Sequence, residues 1–426
     1  MTRSGYGAPV LRALMLATSL ATAQGAGAIT PAASADALFA SSCKGADGYG
    51  GVFGGRRTFL WRAAQLERLK AERESDADVA KALKALLVRA GEALGHKPYS
   101  VVDKTWVPPS RDKHDYLSIG PYWWPDPLNP HGPYVRRDGE VNPERATEAF
   151  DAMRMQAMSD DVESLALAYF YTDDRRYADG AARLVRAWFL DPATRMNPNM
   201  DYAQSVPGRE AGRAEGVLDT SRLQPVVEAI GLIAPSGAIS AQEQQGLERW
   251  FSRYVDWMLR SANGRAERAA SNNHGMWFDA QIAQFALFAR RPDVAREVVD
   301  AFPKRRIAAQ FEPDGKLPRE LERTRSYHYS LYALTAAYGV ADIGECLGVN
   351  LWAYRDGKGR GLRSATDFVA RYAKTPGAWP YREMKPSPGE TADLLTRAAW
   401  AWSSPAYSLF PPGPGTVLRY DRFAKP

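Results

Sequence analysis

From Thr58 to about residue 400, apolar residues recur at the three- and four-residue spacing of a helix face. Leu66, Leu69, Val79, Leu83, Leu86 and Leu87 mark such a face over 64–93. The same spacing predicts helices over 145–171, 176–190, 221–233, 241–261, 274–288, 292–309, 330–347 and 362–374. Almost no period-two alternation marks strands. Between 97 and 143 the pattern breaks, because Pro108, Pro109, Pro121, Pro125, Pro127, Pro130 and Pro133 block regular helix. Tryptophans and tyrosines crowd the same stretch, which reads as a long ordered loop rich in ring faces. The class is all-α. Broad apolar faces and helices of alternating length favour a closed ring of helical hairpins over a four-helix bundle. This single domain is expected over 58–403, followed by an irregular Pro/Gly-rich tail over 404–426.

Composition changes the picture at the N-terminus. Arg3 and Arg12 accompany a short apolar run from Leu11 to Ala23, followed by Ala21-Thr22-Ala23 and Ala26-Gly27-Ala28. That is the layout of a signal peptide over 1–28, cleaved near 23–28, with export across the inner membrane to the periplasm. The run is shorter than the roughly twenty residues a spanning helix needs. No other segment is apolar enough, so stable membrane insertion is not expected. A Gly/Ser/Ala-rich segment over 29–57 reads as flexible. Cys43 and Cys346 are the two cysteines, which exclude a disulfide framework and leave a single bridge open.

The formal charge of +6 falls to about +4 without Arg3 and Arg12, still mildly basic. A basic cleft suits a polyanion. Nucleic acid is not the expected one, since there is no dense Lys/Arg stripe, helix-turn-helix or ribonucleoprotein-type aromatic motif. An acidic polysaccharide fits better. His96, His114, His131, His274 and His328 show no metal-binding spacing. No nucleotide or dinucleotide fingerprint occurs, so neither a metal nor a cofactor is expected. The sequence carries no signature of oligomeric state.

The densest chemistry lies in Ser271-Asn272-Asn273-His274 and, fifty residues on, in the run from Glu322 through Arg323 to Tyr329. Removing the C5 proton of a uronic acid places negative charge on the adjacent carboxylate, which must be neutralised or hydrogen-bonded as the charge develops. Asn273 and His274 supply an amide and an imidazole for that task, and Arg323 a guanidinium. A tyrosine, its pKa of about 10 lowered by neighbouring cations, can take the proton and return one to O4. Tyr327 shares a helical face with Arg323 through i,i+4 spacing and is favoured; Tyr329 fits if the backbone there is a loop. Tyr122, Trp123 and Trp124 offer flat faces to sugar rings. Gln204, Arg209 and Arg213 are candidate contacts to carboxylates or hydroxyls. Ordinary structural readings stand beside these: a helix N-cap at Ser271 or Asn272, and an amphipathic helix start at Ser326.

These blocks resemble the alginate lyase superfamily of polysaccharide lyases with (α/α) toroid folds. SNNHGMWFD at 271–279 is similar to the family's Asn-Asn-His block, and GKLPRELERTRSYHYSLYAL at 315–334 to its Arg-to-Tyr block. DYLSIGPYWWPDP at 115–127 and RRDGEVNPE at 136–144 look like the N-terminal block of the wider group. The resemblance implies that Asn273 and His274 neutralise a carboxylate, with Arg323 as the family arginine and Tyr327 as base and acid. The Arg-to-Tyr interval is shorter here than in the mannuronate lyases, which keeps Tyr329 beside Tyr327. The GPYWWPDP block looks more like a branch that includes glucuronan-cleaving and broad alginate-cleaving enzymes. The expected activity is β-elimination on a β-1,4-linked polyuronate. Two rivals are a glycoside hydrolase using Asp279 with Glu320 or Glu322, and a non-catalytic polyuronate-binding or export protein.

Overall fold

The computed structural model describes residues 42–411, apart from 130 and 387, and residues 414–419. The expected signal peptide over 1–28 lies outside them. Twelve helices of eight residues or more carry the architecture of the described residues: α1 (Ala63–Glu72), α2 (Ala77–Gly95), α3 (Ala152–Thr172), α4 (Arg175–Val185), α5 (Leu223–Ile233), α6 (Ala241–Arg260), α7 (Ala262–Ala269), α8 (Asn273–Phe288), α9 (Pro292–Phe302), α10 (Ser326–Cys346), α11 (Leu362–Ala370) and α12 (Pro388–Ala401).

Burial sorts the helices into two layers. In α5, α8 and α10 nearly every side chain is buried, and α3 is buried over most of its length. A helix apolar all round must have neighbours on every side. These four pack in sequence, α3 on α5, α5 on α8 and α8 on α10, to form an inner ring. The amphipathic α2 and α4 back α3, α6 and α9 back α8, and α11 and α12 back α10. The chain is thus an all-α toroid of helical hairpins, as the periodicity predicts.

Caps explain where the expected helices differ. The predicted helix over 64–93 is two helices, because Asp76 accepts hydrogen bonds from the N–H groups of Asp78 and Val79 and starts α2 afresh. Ser240 and Glu243 close a capping box at the start of α6. The helices expected over 176–190 and 292–309 each pass into a π-helical turn, at Arg186–Leu190 and Pro303–Ile307. The helix expected from 330 begins at Ser326 instead.

Two small sheets stand over one end of the ring. β1 (Leu117–Ile119) pairs in parallel with β4 (Tyr202–Ser205), and β2 (Trp123–Trp124) pairs antiparallel with β3 (Val135–Arg136). The prolines of 108–133 do prevent helix here, and the backbone bonds go into these short ladders and turns instead.

The expectation of flexibility over 29–57 is corrected from Cys43 onward. A disulfide joins Cys43 to Cys346 at the end of α10, and Tyr49 and Phe53 are buried in the main core. The expected irregular tail is likewise partly ordered, because Val417 and Leu418 bury their side chains in the core. The Leu418 carbonyl also accepts a 2.7 Å hydrogen bond from the Tyr171 hydroxyl. Among the described residues, no helix is long and apolar enough to cross a membrane.

Glu228 of α5 ties the N-terminal strap to the ring. Its Oε2 accepts from the backbone N–H groups of Phe59, Leu60 and Trp61 at 2.9–3.0 Å, and its Oε1 from Gln284 at 2.6 Å. Replacing Glu228 by Ala strands three buried donors, each costing about 1–3 kcal/mol. Urea unfolding should therefore show a loss of at least about 3 kcal/mol for Glu228→Ala and a clearly smaller loss for Glu228→Gln.

Candidate active site

The inner helices α8 and α10 lie side by side, and their first turns open on a cavity of about 600 Å³ beneath the small sheets. Asn273, His274, Arg323, Tyr329, Tyr122, Trp123, Gln204 and Arg213 all line it. It thus brings together eight of the eleven residues singled out in the sequence.

At the start of α8, Asn272 caps the helix by accepting from the His274 N–H at 3.2 Å. The capping role and the site therefore coexist in one tetrapeptide. Gly275 is required next, since a Cβ there would lie 2.2 Å from the Ala270 carbonyl oxygen and from Arg306 Nη1. Asn273 is fully buried, and both its backbone N–H and its Nδ2 donate to the carboxylate of Glu320, the latter at 2.8 Å. One amide hydrogen and an Oδ1 with no hydrogen-bond partner among the described residues remain for a ligand. His274 Nδ1 lies 2.6 Å from Oε1 of Glu267, a buried residue of α7. With Nδ1 taken, Nε2 is the nitrogen left to meet a ligand.

The start of α10 is capped from outside. Oε2 of Glu383 accepts from the N–H groups of Tyr327 at 2.9 Å and His328 at 3.1 Å. Residues 322–325 are a turn and not helix, so the i,i+4 argument that joined Arg323 to Tyr327 does not hold. The guanidinium of Arg323 instead sits 3.7 Å from the centre of the Tyr329 ring. Tyr327 points the other way: its hydroxyl donates to the Val369 carbonyl at 3.1 Å and its ring packs on Trp379. The preference for Tyr327 is corrected on that ground, and Tyr329 is the tyrosine that faces the cavity.

The β2–β3 hairpin completes the wall. Tyr122 shares a 2.6 Å hydrogen bond with the Tyr329 hydroxyl. Asp138 accepts from Arg323 Nη2 at 2.8 Å and Nε at 3.3 Å, and from the Thr324 hydroxyl at 2.9 Å. Gly139, at φ +84°, lets the hairpin approach so closely, because a Cβ would meet Thr324 Oγ1 at 2.6 Å. Trp123 lines the cavity with Arg213 5.6 Å and Arg209 5.4 Å from its ring centre. Two expected contacts fall outside. Trp124 turns its Nε1 to the Glu140 carbonyl, and Arg209 turns its Nε to the Tyr134 carbonyl. Gln204 is oriented by Asp219 at 2.9 Å and Arg213 at 3.2 Å.

The carboxylates of the hydrolase reading are engaged elsewhere. Asp279 is buried against Arg306 at 2.7 Å, Glu320 holds Asn273, and Glu322 is exposed beside Arg319. The sequence reading missed Glu267, Asp138, Arg136, Arg145, Arg222 and Tyr332, which also meet the site. His328 also lines the cavity, with Nδ1 2.6 Å from Glu390. Asp138 was within reach, standing in the RRDGE run; Glu267 has no marker in sequence.

Electrostatics follow from these partners. Burial pushes the His274 imidazole down, but the charge and hydrogen bond of Glu267, with Glu215 and Glu320 behind it, outweigh burial and raise its pKa. Burial would raise Asp138, yet Arg323 and Thr324 hold it at about 2. The phenol of Tyr329 goes up, because burial and the neighbouring Tyr122 outweigh Arg323. The expected lowering by nearby cations is therefore reversed: Arg323 covers the ring face, and the hydroxyl stays neutral.

A helical toroid with a cation-rich cleft at the mouth of its inner ring defines a class, the polysaccharide lyases built on (α/α) toroids. The family model for alginate lyase matches residues 100–379, and the chain belongs to the alginate lyase family. Its structure is similar to that of an alginate lyase from Bacteroides ovatus, with 35% sequence identity and a TM-score of 0.80 over 85% of this chain and 96% of that one. A variant of alginate lyase A1-III complexed with a tetrasaccharide shares the fold at 16% identity, with a TM-score of 0.54 over 84% of this chain and 94% of that one. No curated protein matches the sequence.

Removing the Glu267 charge should leave burial as the main influence on His274. Nuclear magnetic resonance titration of Glu267→Gln should then show the His274 midpoint moving down from its parental value; an unchanged midpoint would show that Glu267 does not hold the imidazolium.

Proposed function

We propose that this chain is an exported lyase that cuts a β-1,4-linked polyuronate, alginate or glucuronan, by β-elimination. The observation that carries the reading is the convergence of Asn273, His274, Arg323 and Tyr329 on one cavity. In this reading the uronate carboxylate meets His274 Nε2 and the free amide hydrogen of Asn273. Both donors are fixed before the substrate arrives, so they stabilise the charge that develops as C5 loses its proton without reorganising. Tyr329 acts as a neutral phenol. Its oxygen accepts the C5 proton while its own proton passes to O4, the C5–H electron pair becomes the C4–C5 double bond, and the C4–O4 bond breaks. The tyrosine ends as it began. Arg323 over the ring face stabilises the phenolate character that appears in between.

Alginate is favoured by the family and by the name of the Bacteroides ovatus relative. Glucuronan is the alternative, supported by the GPYWWPDP block. Export is supported by the signal-like N-terminus and by the disulfide between Cys43 and Cys346, which suits an oxidising compartment.

Poly-mannuronate, poly-guluronate, glucuronan and hyaluronan, offered in parallel, distinguish the possibilities by ultraviolet absorbance of a 4,5-unsaturated uronate. Absorbance should rise on poly-mannuronate or glucuronan. Reducing ends without that absorbance would mean hydrolysis, and unchanged viscosity with neither absorbance nor new reducing ends would mean binding alone. Tyr329→Phe should lower kcat by at least about 10²-fold, whereas Tyr327→Phe should stay within a factor of a few of the parent.

A further inference from the structure

Arg306 is a guanidinium that stands behind the cavity wall, only 1% exposed. It lies in the π-helical turn Pro303–Ile307, which continues α9 where that helix backs α8. Pro303 has no N–H to return to the preceding turn, and the helix widens there. Lys304 stays exposed, while Arg306 and Ile307 turn inward. Four hydrogen bonds then hold the guanidinium. Nε and Nη2 donate to the two carboxylate oxygens of Asp279 at 2.7 and 3.1 Å, and Asp279 is itself fully buried on α8. Nη1 donates to the Ala270 carbonyl at 2.7 Å, and Nη2 also to the Arg268 carbonyl at 2.9 Å.

Those two carbonyls belong to the end of α7, where a helix leaves its last acceptors without intrahelical donors and where a cation is favoured by the helix dipole. Arg306 thus grips the end of α7 with one edge of its fork and α8 with the other, across the residues 270–272 that join them. The reacting groups hang on this junction. Glu267 stands one residue before the first gripped carbonyl, Ala270 lines the cavity, and Asn273 and His274 open α8. The 2.6 Å contact between His274 Nδ1 and Glu267 spans the same junction. The missing side chain of Gly275 leaves the room that Arg306 Nη1 fills.

We propose that Arg306 is a positioning residue of this site: paired with Asp279, it locks the α7–α8 junction and so sets where His274 Nε2 and the Asn273 amide meet a uronate carboxylate. The bidentate ion pair anchors the guanidinium, and the two carbonyl bonds fix the direction in which the chain enters α8. Misplacing a donor by about 1 Å can cost roughly 10²-fold in rate, so a loosened junction slows the chemistry while every group that touches substrate is still present. The purpose of those donors rests on the lyase reading; the hold of Arg306 on the junction does not.

Two variants of the full chain test the role. Arg306→Lys keeps the charge and loses the fork. Arg306→Met combined with Asp279→Leu replaces the whole pair by apolar groups of similar size, a change that buried ion pairs often tolerate. Each is followed by nuclear magnetic resonance titration of His274 and by kcat and KM on the polyuronate that the parent cleaves, with the folded fraction taken from thermal unfolding. In the double variant the His274 midpoint should move down from its parental value, because Glu267 is no longer held against the imidazole. Its kcat should fall at least about 10-fold, with KM within a factor of a few, and Arg306→Lys should lie between it and the parent. In any variant that folds, a parental midpoint or a parental kcat per folded molecule overturns the positioning role. Failure of both variants to fold also overturns it, since the pair then serves the fold alone. A parent silent on every polyuronate overturns the lyase reading itself, and the midpoint then decides alone whether Arg306 sets the imidazole.

Discussion

The packing of α8 against α10 is the constraint on which the rest depends. Both helices are buried almost all round, so neither has a face free to rotate, and each must sit in one register against the other. Their first turns open on the same cavity, and Trp277 and Tyr332, each about a turn or more further in, meet with ring centres 4.8 Å apart. The two helices therefore run in the same sense. The apolar core fixes the spacing of Asn273 and His274 against Tyr329, which is what a concerted proton transfer beside a carboxylate needs.

Around this frame a set of buried or half-buried carboxylates does the local aiming. Glu320 grips Asn273, Glu267 grips His274, Asp138 grips Arg323, and Glu383 caps the helix that carries Tyr329. Taking such charges out of water is expensive, and each is tolerated because hydrogen bonds or an opposite charge satisfy it. The result is a site whose donors are held in place by the protein's own carboxylates. Glu267 behind the imidazole also raises the His274 pKa against the effect of burial, which favours a cationic group in the cavity beside the neutral Tyr329.

How much of this was legible in the sequence follows from distance along the chain. The helical class was readable because 3.6-residue periodicity is local, and the Asn-His and Arg-to-Tyr blocks because their members are adjacent. The choice between Tyr327 and Tyr329 was misread for a physical reason. The i,i+4 rule presumes continuous helix, yet Arg323 sits in a turn and α10 begins at Ser326. Glu267 carries no local mark, since it meets His274 across a helix junction; Asp138 stands in the RRDGE run, but its partner Arg323 lies 185 residues away. The packing of Tyr49 and Phe53 was hidden by their Gly-rich surroundings; core burial and the bond to Cys346 both fix that stretch.

The most direct test of the account is a crystal structure of Tyr329→Phe soaked with a uronate tetramer. The account predicts a uronate carboxylate on His274 Nε2 and the Asn273 amide, with C5 and O4 of that sugar both facing the ring edge of residue 329. A carboxylate seated elsewhere, or a C5 turned away from residue 329 towards a carboxylate side chain, would contradict it.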